Sequence, residues 1–297
     1  MLVFAALCLH TRGDQEPDSE AVAMPFASVM PKIVVWAWEE PEDLRAAPAS
    51  VGVAYLAETL FLGKPGSAAP ALTVLKRHQP LDVAQGAAIM AVVRVIAQPG
   101  FQDSVAVREQ TAAALAEVSL HAGLRALQID FDATSSQRAF YAAVLGQLRP
   151  QMPAGMPLSI TALLSWCAAG PGSGDWLATL PIDEAVPMYF RLGGSARSGG
   201  DKSGYPLHAA HCRGSLGIST DESWPPLNPQ ARIYLFAPRP WSPFQLAALA
   251  DVASGRRAPA LQFDSAKANS HPPNDTGLHA GEESRPPAVK PSEETLP

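Results

Sequence analysis

The sequence has no long apolar run and no surplus of positive charge. No stretch approaches the roughly 18 residues that a membrane-spanning helix needs, and the apolar run at the N-terminus, residues 2–9, is short. Lys and Arg total 22 against 28 Asp and Glu, which gives a net charge of -6. The protein therefore has no excess of cationic side chains with which to bind the phosphates of a nucleic acid. These absences exclude an integral membrane protein and argue against nucleic acid as a partner.

Several signatures of catalysis and cofactor binding are also missing. The chain contains no Gly-x-Ser-x-Gly elbow, no P-loop and no Cys-x-x-Cys. A glycine-rich stretch, residues 193–200, lacks the Lys-Ser/Thr and the helix start of a phosphate-binding loop, which predicts a flexible loop instead. Because no motif requires one, we predict no cofactor and no metal.

What the chain does have is the alternation of a parallel α/β protein. Hydrophobic residues make up 47% and charged residues 17%, enough for one sizeable core. Apolar, β-branched runs alternate with Ala/Leu-rich segments of helical period. Helices are predicted at 104–120, at 135–148 with Ser135 as cap, and at 241–254 with Ser242 as cap. Strands are predicted at 32–38, 51–56, 89–96, 126–132, 158–164, 185–191, 215–219 and 231–236.

Eight strands in roughly 220 residues favour a single-domain (β/α)8 TIM-type barrel. The alternative, a doubly wound open sheet, should carry a glycine-rich turn after its first strand, and residues 38–42 contain no glycine. The barrel should be irregular. Its first two strands start 19 residues apart and its last two about as close, too little for a full crossover helix.

The two ends of the chain differ from this middle region. Residues 1–30 begin with an apolar segment as long as the core of an export signal, but no Lys or Arg precedes it and no clean cleavage site follows. Residues 263–297 form a Pro-rich tail that cannot bury a face and is predicted to be disordered. The barrel is expected over 31–262. We expect export to the periplasm or cell envelope, with a cytoplasmic location as the alternative.

The fourth predicted strand carries polar residues on one face. Gln128, Asp130 and Asp132 alternate with apolar neighbours, so all three should point into the barrel, with the two aspartates nearest its C-terminal mouth. Arg94, the only charge in the third strand, offers Asp130 an internal ion pair. Even with that pair formed, we expect Asp132 to remain open to a ligand.

Other acids lie at the ends of other strands. Glu39 follows the first strand, and Asp221 and Glu222 follow the seventh. Carboxylates from separate strand ends, with tryptophans nearby, are typical of glycosidic chemistry, in which one acid protonates the leaving oxygen and another acts as nucleophile or base. Asp132 is therefore predicted to be the acid/base, with Asp221 or Glu222 opposite it and Asp130 and Glu39 as further candidates.

Aromatic residues near the predicted mouth complete a possible sugar site. Trp224 and Trp241 also lie near strand ends. The alternative is that all of these are ordinary loop acids and packing tryptophans, which would leave a non-catalytic carbohydrate-binding or scaffold protein. No pattern predicts the oligomeric state. The candidate sugar-binding residues are Trp36, Trp38, Trp166, Arg94 and Tyr189.

The chain has only three cysteines. Cys8 lies in the signal-like segment, which leaves Cys167 and Cys212 as a pair for a disulfide in an exported protein. Free buried thiols are a second interpretation. A third is a zinc site with His208 and His211, although the His-x-x-His-Cys spacing matches no strong zinc pattern.

Five segments of the chain form a recognisable series of motifs: 36–41, 127–133, 159–167, 183–188 and 212–222. In this order they resemble a bacterial family known as domain of unknown function 3142. The likeness covers about residues 32–240 and implies a bacterial origin and a barrel of glycosidase type.

The fourth strand alone is also similar to the chitinase-like barrels, whose signature is Asp-x-Asp-x-Glu. Asp130 and Asp132 match its two aspartates, but Thr134 stands at the position of the proton donor. The likeness therefore implies one of two things. Either Asp132 has taken over with an acid from another strand, or the barrel only binds sugar.

Overall fold

The computed structural model describes residues 26–64, 70–168, 176–190, 207–254 and 256. Three segments singled out in the sequence lie outside these ranges. They are the signal-like apolar run at residues 2–9, the glycine-rich stretch at 193–200 and the Pro-rich tail at 263–297. In the part of the chain that is described, no helix combines the length and the apolar character needed to cross a bilayer.

The described residues form eleven strands and five α-helices. The strands are β1 (Ile33–Ala37), β2 (Glu42–Leu44), β3 (Val51–Leu62), β4 (Leu72–Lys76), β5 (Leu81–Val83), β6 (Ile89–Ala97), β7 (Leu124–Asp130), β8 (Leu158–Leu163), β9 (Glu184–Met188), β10 (Ser215–Ser219) and β11 (Arg232–Phe236). The helices are α1 (Phe26–Val29), α2 (Val105–Ser119), α3 (Arg138–Leu148), α4 (Leu164–Cys167) and α5 (Pro243–Ala253).

Eight of the strands close into a parallel barrel. The ring runs β1, β3, β6, β7, β8, β9, β10 and β11, and β11 pairs with β1 to close it. Each of the eight predicted strands overlaps one of these, which confirms the (β/α)8-type barrel. Closure removes the exposed edges that an open sheet would leave.

The long helices begin where capping side chains are available. Ser104 accepts a hydrogen bond from the backbone of α2, and Ser242 forms a capping box with Gln245 at the start of α5. The predicted cap at Ser135 is wrong by one residue. Thr134 caps the short 3-10 turn Ser135–Gln137 that leads into α3, and its backbone N–H donates to the side chain of Gln137. Thr134 thus belongs to the start of this helical segment.

The irregularity lies between β1 and β6. In place of a crossover helix, β3 extends to twelve residues and its upper half pairs antiparallel with β4. Short strands β2 and β5 pair with each other alongside. The register between β3 and β6 shifts between Leu56 and Glu58, which leaves Ala57 as the extra residue of a β-bulge.

A hydrogen-bonded network fills the barrel interior. The Arg232 guanidinium lies 2.6 Å from Glu184 Oε1, and the hydroxyls of Tyr234 and Ser159 both donate to Glu184 Oε2. Gln128 continues the network by donating to Ser159 and accepting from the Trp36 indole. All six side chains are buried. Every charge inside the barrel is thus paired, as burial requires.

The N-terminal end of the barrel is closed by α1. Phe26 and Met30 are buried there, and Arg232 lies over the Phe26 ring at 4.5 Å while donating to the carbonyl of Pro31. Phe26 and Met30, which precede the predicted barrel boundary at residue 31, thus pack against the barrel strands.

Close packing inside the barrel also explains one glycine. A Cβ at Gly217 would lie 2.8 Å from the sulfur of Met188 and 3.0 Å from the ring of Trp36. The strand β10 therefore needs glycine there, since any side chain would collide with both neighbours.

Candidate functional site

The centre of the candidate site is Asp130, the last residue of β7. Its Oδ1 accepts a 2.7 Å hydrogen bond from Thr161 on β8, and its Oδ2 lies 3.8 Å from Arg94 Nε on β6. Arg94 and Asp130 are also register partners in the sheet. The internal ion pair suggested by the sequence is therefore present at the C-terminal mouth of the barrel.

Burial governs the ionisation of Asp130. Removal from water raises the pKa of its carboxyl above the usual 3.8, and the nearby charge of Asp132 raises it further. The hydrogen bond from Thr161 and the charge of Arg94 oppose this shift without cancelling it. Asp130 therefore keeps its proton to a higher pH than an exposed aspartate does.

Arg94 links Asp130 to the loop after β1. Its guanidinium lies 3.9 Å from Glu39 and 5.5 Å from the centre of the Trp38 ring. Glu39 is exposed and Trp38 is half-buried. Three of the predicted site residues, Glu39, Arg94 and Asp130, are thus brought together by side chains from β6, β7 and the first loop.

Asp132 extends beyond the end of β7 and is exposed. Its neighbours Phe131 and Ala133 are both buried in the outer core between sheet and helices, so the strand's alternation places Asp132 on the opposite side, toward the mouth. Among the described residues, Asp132 has no hydrogen-bond or ion-pair partner. It is the carboxylate of this group that is most open to a ligand.

The acids after β10 are held by a tight turn. Ser219 donates its hydroxyl to Asp221, and the indole of Trp224 donates to the Ser219 carbonyl at 2.8 Å. Asp221 is exposed and Glu222 is half-buried. The end of β10 therefore presents Asp221 at the same C-terminal end of the barrel as Asp132.

Four of the aromatic residues singled out in the sequence are buried. Trp36 is buried inside the barrel, where it stacks on Tyr234 and bonds Gln128. Trp166 and Tyr189 are buried in the outer core, and Trp241 is buried while its indole donates to the Trp36 carbonyl. None of the four can stack on a sugar at the surface, because their rings already pack against protein.

The aromatic cluster at the mouth contains two phenylalanines that were not predicted to be site residues. Phe190 and Phe236 stack in parallel with centroids 5.5 Å apart, and Trp38 meets Phe236 edge to face at 6.5 Å. Both phenylalanines continue the inward-facing alternation of β9 and β11, two residues beyond Met188 and Tyr234. That alternation is the signal from which they could have been found.

Cys167 and Cys212 are joined by a disulfide with their α-carbons 5.8 Å apart. The link ties the end of α4 to the segment before β10, and the backbone of His208 also donates to the Cys167 carbonyl. Within the described ranges, no group of three or more His, Cys, Asp or Glu side chains could hold a metal. The zinc interpretation of these cysteines is therefore not supported.

Comparisons with known proteins give a family match and two likenesses of fold. The crystal structure of the Bacillus cereus spore cortex-lytic enzyme SleL is 12% identical with a TM-score of 0.39, over 63% of this chain and 51% of that one, so the chain spans about half its length. A protein from Streptomyces coelicolor, thought to be a Chitinase A, is 11% identical with a TM-score of 0.43, over 77% of this chain and 98% of that one.

No curated protein is detectably similar in sequence. A family model, Domain of unknown function (DUF3142), matches residues 85–177. That range contains Asp130 and Asp132 together with the segment that ends at Cys167. The chain is thus similar to the DUF3142 family over residues 85–177, which confirms the resemblance for the segments at 127–133 and 159–167.

Proposed function

We propose that the protein is a glycan-active barrel that hydrolyses a glycosidic bond, with Asp132 as the acid/base. The observation that carries this proposal is the pair of carboxyls at the end of β7. Asp130 is half-buried, hydrogen-bonded and ion-paired, whereas Asp132 is exposed beside it. Two carboxyls in different environments are what acid/base chemistry at one pH requires.

In the proposed reaction, Asp132 protonates the leaving glycosidic oxygen and Asp221 or Glu222 acts from across the mouth as nucleophile or base. Asp130 does not touch the substrate. The ring of Trp38, half-buried beside Arg94, offers a face on which a sugar could stack.

A carbohydrate-binding role without catalysis is the second candidate. The ion pair of Asp130 with Arg94 supports it, since a carboxylate satisfied by protein groups is less available for chemistry. Thr134 supports it as well. This residue carries no ionisable group where chitinase-like barrels place the proton donor, and its backbone starts a helix.

The test is an Asp132→Asn variant assayed against a panel of polysaccharides. If Asp132 is the acid/base, the rate of cleavage should fall by about 10²- to 10⁴-fold while binding persists. Asp251→Asn, on the outer helix α5 where the carboxylate pairs with Arg256, is the matched control and should leave the rate unchanged. A wild-type protein that binds glycans but cleaves none would favour the second candidate.

We also propose that the protein is exported to an oxidising compartment, the periplasm or cell envelope. The Cys167–Cys212 disulfide supports this, because such bonds are rare where thiols are kept reduced. Alkylation of the native, unreduced protein should leave both cysteines unmodified by mass spectrometry. Alkylation of either one in protein taken directly from its source would contradict the proposal.

A further inference from the structure

The upper half of β3 rises past the rim of the barrel together with β4 and β6. Residues Val51–Tyr55 of β3 pair with β1, whereas Glu58–Leu62 pair with β4 on that same edge. The strand β4 therefore stands above the end of β1. Together, the upper parts of β3, β4 and β6 form a wall beside the mouth, which we call the β3–β4–β6 wall.

Strand register identifies the face of this wall that looks over the mouth. Arg94 points inward, because it contacts Asp130. Thr59 is its register partner on β3 and Leu75 is the partner of Thr59 on β4. One step higher, Phe61 aligns with Ile96 on one side and with Thr73 on the other. Directly paired residues share a face of a sheet, so all of these face the mouth.

The two faces of the wall differ in charge. Above Arg94, the inner face carries Thr59, Phe61, Ile96, Thr73 and Leu75, which include no charged side chain. The outer face carries the charged pair Lys76–Glu58, at 3.6 Å, next to Glu117 of α2. An uncharged surface of hydroxyls and apolar groups suits the hydroxyls and the apolar ring faces of neutral sugars.

The inner face is accessible and continuous with the candidate site. Leu75 is 49% exposed, and Phe61 and Ile96 are partly exposed. At the foot of β4, the Arg77 guanidinium donates to the carbonyls of Trp38 and Glu40. The wall is thus fixed to the loop that carries the mouth residues Trp38 and Glu39.

We propose that the β3–β4–β6 wall binds an uncharged oligosaccharide. One sugar of this chain lies at the carboxylates, and the wall contacts the sugars that extend beyond it. The inference rests on the proposed glycan-directed function and adds to it a substrate class: neutral chains of several units. Short fragments, which reach only the carboxylates, should not depend on the wall. A longer chain should gain affinity from Leu75 and Phe61.

The test compares Leu75→Asp with Val74→Asp. Val74 is the adjacent residue on β4, is 41% exposed, and lies on the outer face, so both variants place the same charge on one strand at similar exposure. Calorimetry with cello- and chito-oligosaccharides of two and of six units gives the affinities. We expect Leu75→Asp to weaken binding of the six-unit chains about tenfold and to leave the two-unit chains unchanged. Val74→Asp should change neither.

The outcomes separate this inference from the function on which it rests. If the wild-type protein binds none of the probes or the panel polysaccharides, the proposed function fails and the wall proposal falls with it. If wild type binds and both variants bind the six-unit chains equally well, only the wall proposal is overturned. Sedimentation that shows a dimer dissociated by Leu75→Asp would also overturn it, because a second copy would then cover the surface.

Discussion

The inside of the barrel and its mouth both hold carboxylates beside an arginine, yet the two groups are built differently. In the interior, Glu184 has contacts of 2.6–3.1 Å with Arg232, Tyr234 and Ser159, all of them buried. At the mouth, Arg94 is 38% exposed and lies 3.8 and 3.9 Å from two acids. The interior group is saturated, whereas the mouth group is loosely held.

This difference shows which acids can take part in chemistry. A buried carboxylate whose oxygens are fully bonded stabilises the fold only as long as its partners stay in place, and it has no capacity left for a ligand. A carboxylate at a partly exposed mouth can exchange a protein contact for a substrate contact at small cost. The positions of Glu184 and Asp130 in their sequence motifs would not by themselves show which of the two acids can take part in chemistry.

The largest expected effect comes from breaking the interior pair. Arg232→Ala leaves Glu184 buried without its cation, so the free energy of unfolding should fall by about 3–5 kcal/mol. At the mouth, Arg94→Ala should cost only about 0–1 kcal/mol, because Arg94 is itself partly exposed and its two ion pairs are long. Urea denaturation of both variants measures the two losses.

A double variant keeps this comparison decisive if Arg232→Ala does not fold. Arg232→Met combined with Glu184→Gln removes both charges and should recover part of the lost stability. Equal losses for Arg232→Ala and Arg94→Ala would contradict the distinction between a saturated interior and a loosely held mouth.

A smaller effect should appear in the pH dependence of stability through Asp130. Its pKa in the folded protein is raised above 3.8, so the folded state binds this proton more tightly than the unfolded chain does. The stability that Asp130 contributes is therefore fully present below pH 3.8 and is lost as the pH rises through the folded pKa. Relative to Asp130→Asn, wild type should lose stability toward neutral pH in denaturation series.

Asp43→Asn is the control of opposite sign. A bidentate contact with Arg45 lowers the pKa of Asp43 to about 2. The stability that this contact contributes is therefore fully present above the usual pKa of 3.8 and is lost as the pH falls from there through about 2. A wild-type advantage over Asp130→Asn that grows with pH would show that the pairing with Arg94 outweighs burial at the mouth.

The fold could be predicted because its strongest signals are local. Alternation in β7 located Gln128, Asp130 and Asp132, and the apolar runs located all eight barrel strands. The strand β4 was missed because four of its five residues are exposed and its apolar residues do not alternate clearly with polar ones.

The site was harder to predict because its contacts join distant strands. Trp38 follows the first barrel strand and Phe236 ends the last one, so these two rings meet only once the barrel closes. The tryptophans misled for a related reason. The sequence shows that Trp36, Trp166 and Trp241 lie near strand ends, but it does not show whether neighbouring elements bury their rings. In the structure all three are buried.

The bulge at Ala57 gives the β3–β4–β6 wall its neutral inner face. Because Ala57 is left over in the pairing with β6, Glu58 lies beside Val93 on the outer face and Thr59 lies beside Arg94 on the inner face. If Ala57 instead paired with β6 in regular alternation, the two faces of the upper half of β3 would be exchanged. Glu58 and Leu60 would then look over the mouth, and Thr59 and Phe61 would turn toward α2. One step of strand register thus separates a neutral surface from one that carries a negative charge, with the same residues in the strand.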